Sequence, residues 1–316
     1  MQIIQGTTEF ELHKKSAVAI GKFDGIHLGH QKLLTKVMEQ KKNGLQTVIF
    51  TFDPSPAALF STGKMKELMT REEKRAVFEQ IGIDVLIEFP LTIETAATEP
   101  ERFVREYLSE KLKATVIAAG TDLSFGKKGA GNAELLYSFA KECGYHIEII
   151  DKVSFAGEEI SSTLIRESVE KGEMEKVTAL LGMPYKVQGI VEHGRKLGRT
   201  LGMPTVNIVP EEGKLLPPNG VYYSKVWVEG QDYRAISNIG FKPTVSDTER
   251  LGVETYLYDF DADIYGKEIV VELLSYKRSE RKFDGVEALK QQIHCDMEEG
   301  FSYHNLNKSK VGVKRK

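Results

Sequence analysis

The chain has 316 residues, enough for about two domains of ordinary size, with 41% hydrophobic residues, 28% charged residues and a formal net charge of −3. This is the composition of a globular protein with a sizeable core. It excludes a polyanion binder working by overall charge, so a phosphorylated ligand has to be met by a local set of donors. Cys143 and Cys295 are far apart and outside any C-x-x-C, which leaves zinc and dithiol-redox chemistry without a footing and predicts a reduced, cytoplasmic protein. Residues 1–15 lack a secretory apolar stretch, and no apolar run approaches the length of a bilayer span.

In chain order, short apolar runs at Ala17 to Ile20, Thr47 to Phe52, Asp84 to Phe89, Thr115 to Ala119 and His146 to Ile150 alternate with helical patterns. Those patterns cover Gln31 to Lys42, Arg71 to Ile81, Pro100 to Lys113 and Asn132 to Cys143. Near-continuous apolar strands separated by helices predict a parallel sheet covered on both faces, with ligands bound beyond the strands' carboxyl ends. Helical segments at Ser161 to Lys171 and Glu173 to Leu181 follow, stopped by Gly182-Met183-Pro184. Thereafter strand-like runs at Tyr185 to Glu192, Val221 to Val228, Tyr233 to Ile239, Gly252 to Asp259 and Glu268 to Tyr276 are separated by turns, with a hairpin at Glu229-Gly230 and one helix at Asp284 to Glu299. The expectation is an antiparallel barrel or sandwich with a C-terminal helix. Domain boundaries are expected at 1–183 and 184–304. The remainder, 305–316, carries Lys308, Lys310, Lys314, Arg315 and Lys316 and reads as a solvated tail.

Gly21-Lys22-Phe23-Asp24-Gly25-Ile26-His27-Leu28-Gly29-His30 joins the first apolar run to a helix. His27 and His30, three apart, share a face on a helical turn; Gly29 removes a side chain where a ligand can approach the backbone; and the helix start offers free N–H groups and a positive dipole end. Such a set suits a triphosphate. Attack on its α-phosphorus builds charge on the non-bridging oxygens and the departing pyrophosphate, and positioning plus electrostatics carry the reaction. The string resembles the H-x-G-H nucleotidyltransferases and, at its full length, the form found in bacterial FAD synthetases.

Three further segments carry the same resemblance. Ile160-Ser161-Ser162-Thr163-Leu164-Ile165-Arg166 resembles the family's second nucleotide motif; Ser161 or Ser162 can cap a helix, and Arg166 lies one turn on. Gly120-Thr121-Asp122-Leu123-Ser124-Phe125-Gly126 resembles G-x-D-F-x-F-G, with Leu123 where Phe is usual. Thr51-Phe52-Asp53-Pro54-Ser55-Pro56 resembles the flavin-side loop T-F-x-P-H-P, with Ser55 in place of the histidine. The resemblance implies nucleotide binding by Gly21, Phe23, Asp24, Gly25, Gly29, Asp122, Ser161, Ser162, Thr163 and Arg166, catalysis by His27 and His30, and flavin contacts from Pro54, Pro56 and Phe125.

No G-x-x-x-x-G-K-[ST] occurs in the chain, so nucleotide binding in the second half needs another device. The stretch from Gly194 through Gly198, Arg199 and Gly202 to Pro204-Thr205-Val206-Asn207 supplies a glycine-rich loop with added positive charge from Arg195 and Lys196. Thr205 and Asn207, two apart on a strand, place neutral oxygens on one face, which suits Mg2+ completed by phosphates and water. The string resembles the riboflavin kinase motif G-R-x-L-G-F/M-P-T-x-N. The likeness continues through Asn238 to Thr244, Val253 to Phe260 and Arg278 to Phe283. It implies that Glu254 is the general base and that ATP is the co-substrate. Arg278 and Arg281 are read either as structural ion pairs or as lining the flavin mouth.

The resemblance runs from about Ala17 to Gly300 and is that of the bacterial bifunctional riboflavin kinase/FMN adenylyltransferases. It implies a Rossmann-like α/β nucleotidyltransferase domain followed by a riboflavin kinase-like barrel. The expected reactions are riboflavin plus ATP to FMN plus ADP, then FMN plus ATP to FAD plus pyrophosphate. Neither nucleic acid nor membrane is expected as a partner, and the oligomeric state is not written in the sequence. Two other readings stand beside it: an adenylyltransferase for another phosphorylated substrate with a non-catalytic barrel, and a flavin-sensing regulator. The P-T-x-N loop and Glu254 argue against the first; only the basic tail supports the second.

Overall fold

The computed structural model describes residues 1–56, 59, 66–192, 203–243 and 249–307. The chain divides into two compact units, Met1–Leu164 and Ile165–Lys316.

The first unit is built on six parallel strands among the described residues: β1 (Gln2–Gln5), β2 (Ser16–Ile20), β3 (Gln46–Asp53), β4 (Val85–Pro90), β5 (Ala114–Gly120) and β6 (His146–Ile150), in the order β1-β4-β3-β2-β5-β6. The central strand β2 is buried at all five positions, as its unbroken apolar run requires in a sheet covered on both faces. Alternate residues feed two cores. Val18, Ile20, Phe50 and Ile87 pack with Phe103, Leu108 and Leu136, whereas Ala17, Ala19, Ile49 and Leu86 pack with Leu33, Val37 and Phe78.

Helices α1 (Leu28–Glu39), α2 (Arg71–Ile81) and α3 (Ala133–Cys143) connect the strands, together with a helical segment over 100–111. Their ends obey local rules. Thr70 and Glu73 form a reciprocal capping box for α2, Asn132 caps α3, and Gly82 and Gly144 end those helices in the left-handed conformation. β1 was not expected. It is only four residues long and three of them are exposed, so pairing with β4 rather than its own pattern makes it a strand.

From β2 the chain steps to β3 and β4 on one side and returns to β5 and β6 on the other. The topological switch therefore lies between β2 and β5, the place at whose carboxyl ends sheets of this kind bind ligands.

In the second unit, α4 (Ser162–Glu170) crosses the boundary and α5 (Met174–Leu181) follows. Strands β9 (Tyr185–Glu192), β10 (Thr205–Ile208), β11 (Gly220–Val228), β12 (Gln231–Pro243), β13 (Glu249–Leu257) and β14 (Glu268–Ser279) close into a barrel in the order β10-β13-β12-β11-β14-β9. Two short strands, β7 (Ser154–Phe155) and β8 (Glu158–Glu159), form a separate hairpin in the first unit. A barrel rather than a sandwich results because β9 pairs with both β10 and β14, leaving no free edge.

The Glu229-Gly230 turn has both residues at positive φ (49° and 85°), as a tight hairpin requires. The terminal helix α6 (Val286–Leu306) lies on the barrel through stacked Tyr223 and Tyr303 rings, 4.3 Å apart, and through His304 Nε2, 2.9 Å from the Ala235 carbonyl.

The two compact units divide the chain at Leu164 and Ile165. Within the second, α5 buries Met174, Val177, Leu180 and Leu181 and lies against β9 and β14.

Candidate active sites

The H-x-G-H segment lies at the switch point, directly after β2. Phe23, Gly25 and Ile26 all take positive φ (50°, 88° and 44°), which folds the loop back on the strand ends. Glycine is the residue suited to that region; Phe23 and Ile26 are held there by burial, at 0% and 1% exposure. The Phe23 ring packs edge-on against Phe78 and lies 5.1 Å from the His30 ring. Asp24 is buried as well, its Oδ1 accepting the Leu68 and Met69 N–H groups at 2.9 and 3.3 Å. These two side chains shape the loop.

His27 is the N-cap of α1 rather than part of its first turn: its backbone is extended, and its Nδ1 accepts the His30 N–H at 3.3 Å. The two rings stack, 3.8 Å between centroids and 19° between planes. Gly29 makes this possible, because a Cβ there would lie 3.1 Å from His27 Cε1. The glycine thus admits the imidazole.

Burial lowers the His27 pKa to about 4, against a weaker upward pull from Asp122. Burial, and then the neighbouring His27, push His30 well below its ordinary value. Both rings are therefore neutral near pH 7. With Nδ1 of His27 accepting, its proton resides on Nε2 as a donor. His30 Nδ1 is buried with no hydrogen-bond partner among the described residues, an orphan polar atom of the kind a bound ligand satisfies.

Asp122 follows β5 across the switch. Ser161 caps α4 by accepting the Leu164 N–H at 3.2 Å, and Ser162 Oγ donates to the Asp24 carbonyl at 2.8 Å, tying the second motif to the first. Thr163 is in the first turn of α4. Arg166 is one turn on in the same helix and falls in the second unit.

The proposed flavin-side residues are less open. Phe125 is 3% exposed and packed 5.2 Å from Phe103, so its ring is core. Pro54 is exposed and Pro56 half-buried at the end of β3. Arg278 forms an ion pair with the buried Asp296 through Nε at 3.0 and 3.1 Å, and Arg281 bonds Gln292 and stacks on Phe283 at 4.9 Å. Both arginines are engaged with side chains of α6, Arg278 with Asp296 and Arg281 with Gln292, which is the first of the two roles the sequence allowed.

In the barrel, Thr205 Oγ1 donates to Glu254 Oε1 at 2.6 Å, and Asn207 pairs directly across the strands with Glu254. Burial alternates along β13, with Val253 and Thr255 at 0% and 1% exposure, so Glu254 projects from the opposite, outer face. Asn238 of β12 is the next residue in this cross-strand row, in register with Glu254. Sequence reading named it only as the start of a matching segment and gave it no role; two-residue alternation along β12 carries the signal. Four oxygen-bearing side chains thus gather on adjoining strands, a hard donor set that fits Mg2+. Among the described residues no group of three or more His, Cys, Asp and Glu can hold a metal, so such an ion would complete its shell with phosphates and water. Gly194, Arg195, Lys196, Gly198, Arg199, Gly202 and the tail lysines lie outside the described residues.

A family model described as FAD synthetase matches residues 9–164, and one described as riboflavin kinase matches residues 181–303. The chain is 37% identical over 293 residues to a bifunctional riboflavin kinase/FMN adenylyltransferase of Listeria monocytogenes, covering 92% of this chain and 93% of that one. It is 36% identical over 305 residues to the Bacillus subtilis protein of the same name, covering 94% and 96%. A crystal structure described as a macrolide-efflux protein from Streptococcus pneumoniae matches with a TM-score of 0.83 and 30% identity, over 94% of this chain and 97% of that one; among the residues described here, no helix is long and apolar enough to cross a membrane. With both family models in sequence order and such relatives along nearly its whole length, the chain belongs to the bifunctional riboflavin kinase/FMN adenylyltransferase family.

Proposed function

We propose that this chain makes FAD in two steps: the barrel unit transfers the γ-phosphoryl group of ATP to riboflavin, and the α/β unit transfers the adenylyl group of a second ATP to the resulting FMN. The observation that carries the division of labour is that each unit holds its own chemically distinct set: stacked neutral imidazoles at the switch point of the sheet, and a hydroxyl–carboxylate pair on the barrel.

In the adenylyl transfer an FMN phosphate oxygen attacks the α-phosphorus and pyrophosphate leaves. His27 Nε2–H and the N–H groups of Leu28 and Gly29, to which α1 offers no partner, donate to the oxygens that gain charge. The capped start of α4 offers further N–H groups to the same anion.

In the phosphorylation, Glu254 accepts the proton of the terminal ribityl hydroxyl as that oxygen attacks the γ-phosphorus. The Thr205 hydroxyl, donating to Oε1, orients the carboxylate. Thr205 and Asn207 are the residues that would hold Mg2+, which when bound neutralises charge on the β- and γ-phosphates. The substrates, ATP and flavins, suit a cytoplasmic enzyme.

Purified protein supplied with riboflavin, ATP and magnesium, with products separated by chromatography, tests this. FMN and FAD both accumulate on this reading. FMN alone means an inactive first unit, and bound but unconverted riboflavin means a flavin sensor.

A further inference from the structure

The strand ends beside the first site carry a cation in addition to the residues named so far. β5 and β6 are parallel neighbours with Gly120 paired to Ile150, and the Thr121 N–H reaches the Ile150 carbonyl at 3.3 Å. Asp122 and Lys152 are each two residues beyond that pair, at the same carboxyl edge. The Asp122 carboxylate acts on both His27 and Lys152, favouring the charged form of each.

Lys152 is also the last residue before the β7–β8 hairpin. Ile160 N–H closes the neck on the Val153 carbonyl at 2.8 Å, which places Lys152 across from Ser161, the cap of α4. Val153 Cγ2 lies 4.0 Å from where a Cβ on Gly29 would stand, so the neck abuts the H-x-G-H turn. The Lys152 ammonium is held by Glu159 of the same hairpin at 2.7 Å, and both side chains are open to solvent. An exposed pair of this kind is weak and easily exchanged.

We infer that Lys152 is a further phosphate-binding residue of the adenylyl-transfer site, held by Glu159 until the triphosphate of ATP displaces that carboxylate. The inference rests on the placement of adenylyl transfer at His27 and His30. Lys152 forms no covalent bond; it exchanges one anionic partner for another and stays with the pyrophosphate as that group departs. A lysine acts as a point charge on phosphate, and the hairpin neck fixes its base while leaving its tip free to move.

Steady-state kinetics on the full chain test this. Lys152→Met is expected to raise KM for ATP in FAD formation about ten-fold, with kcat within about three-fold, and to weaken product inhibition by pyrophosphate by a similar factor. Riboflavin phosphorylation in the same preparation stays within about two-fold and reports folding of the chain. Lys152→Arg restores most of the loss, and Glu159→Gln lowers KM for ATP about two-fold by freeing the lysine. A KM for ATP left unchanged by Lys152→Met overturns the proposal. So does a Glu159→Gln variant that raises KM as Lys152→Met does, since the pair would then be structural. His30→Ala separates the premises: retained FAD formation there removes the site itself, whereas its loss beside a fully active Lys152→Met removes only the role of Lys152.

Discussion

The two sites differ in how they treat charge. In the α/β unit the proposed catalytic side chains are buried and neutral, His27 being 9% exposed and stacked on His30. In the barrel the proposed base, Glu254, stands on an outer face with a hydroxyl donating to it. The difference follows from what each reaction asks. Stabilising an anion already present needs donors, and neutral donors cost less to bury than cations. Taking a proton from an alcohol needs a base, and a carboxylate serves as one only where burial does not strip its charge. On the proposed assignment, one chain handles the same nucleotide with two electrostatic strategies, each in its own unit.

The comparison breaks most visibly if the two sets of residues are not separable. Glu254→Gln is expected to reduce riboflavin phosphorylation about a thousand-fold while FAD formation from supplied FMN stays within about two-fold. His27→Ala is expected to reduce FAD formation by several hundred-fold, roughly the worth of a lost transition-state donor, with FMN formation unaffected. If either substitution removes both activities from folded protein, the division of labour fails.

Acid sharpens the contrast. His27 titrates near 4 in the folded unit against 6.5 when unperturbed, and His30 lower than its ordinary value. Between those pH values the unfolded chain binds protons that the folded unit refuses. The stability of the α/β unit is therefore complete above pH 6.5 and falls as pH drops toward 4, by on the order of 3 kcal/mol for His27 alone. Denaturant titrations across this range check the slope. His27→Asn, which keeps a capping side chain, is expected to flatten it.

The smallest effect concerns Arg278. Asp296→Asn is expected to cost about 2 kcal/mol of barrel stability through the weakened ion pair, with KM for riboflavin unchanged. A raised KM at unchanged stability would return Arg278 to the flavin site.

Much of this was legible from the sequence. α2 has the expected bounds Arg71–Ile81 because Thr70, Glu73 and Gly82 mark its ends by local chemistry, and β9 keeps its bounds Tyr185–Glu192. The five apolar runs of the first half became parallel strands for the same reason: hydrophobic periodicity is a short-range signal. Spacing also brought His27 and His30 together, and Thr205 with Asn207 onto one strand face. What tertiary structure alone decided depends on residues distant in the chain. β1 exists because β4 is beside it, and α5 belongs with the barrel because its apolar face is buried there. Arg278 is paired because Asp296, 18 residues on, comes back against it. The neutrality of the imidazoles likewise belongs to the fold, since it comes from burial under a loop held by Phe23 and Asp24, and no reading of adjacent residues reports how much water has been removed.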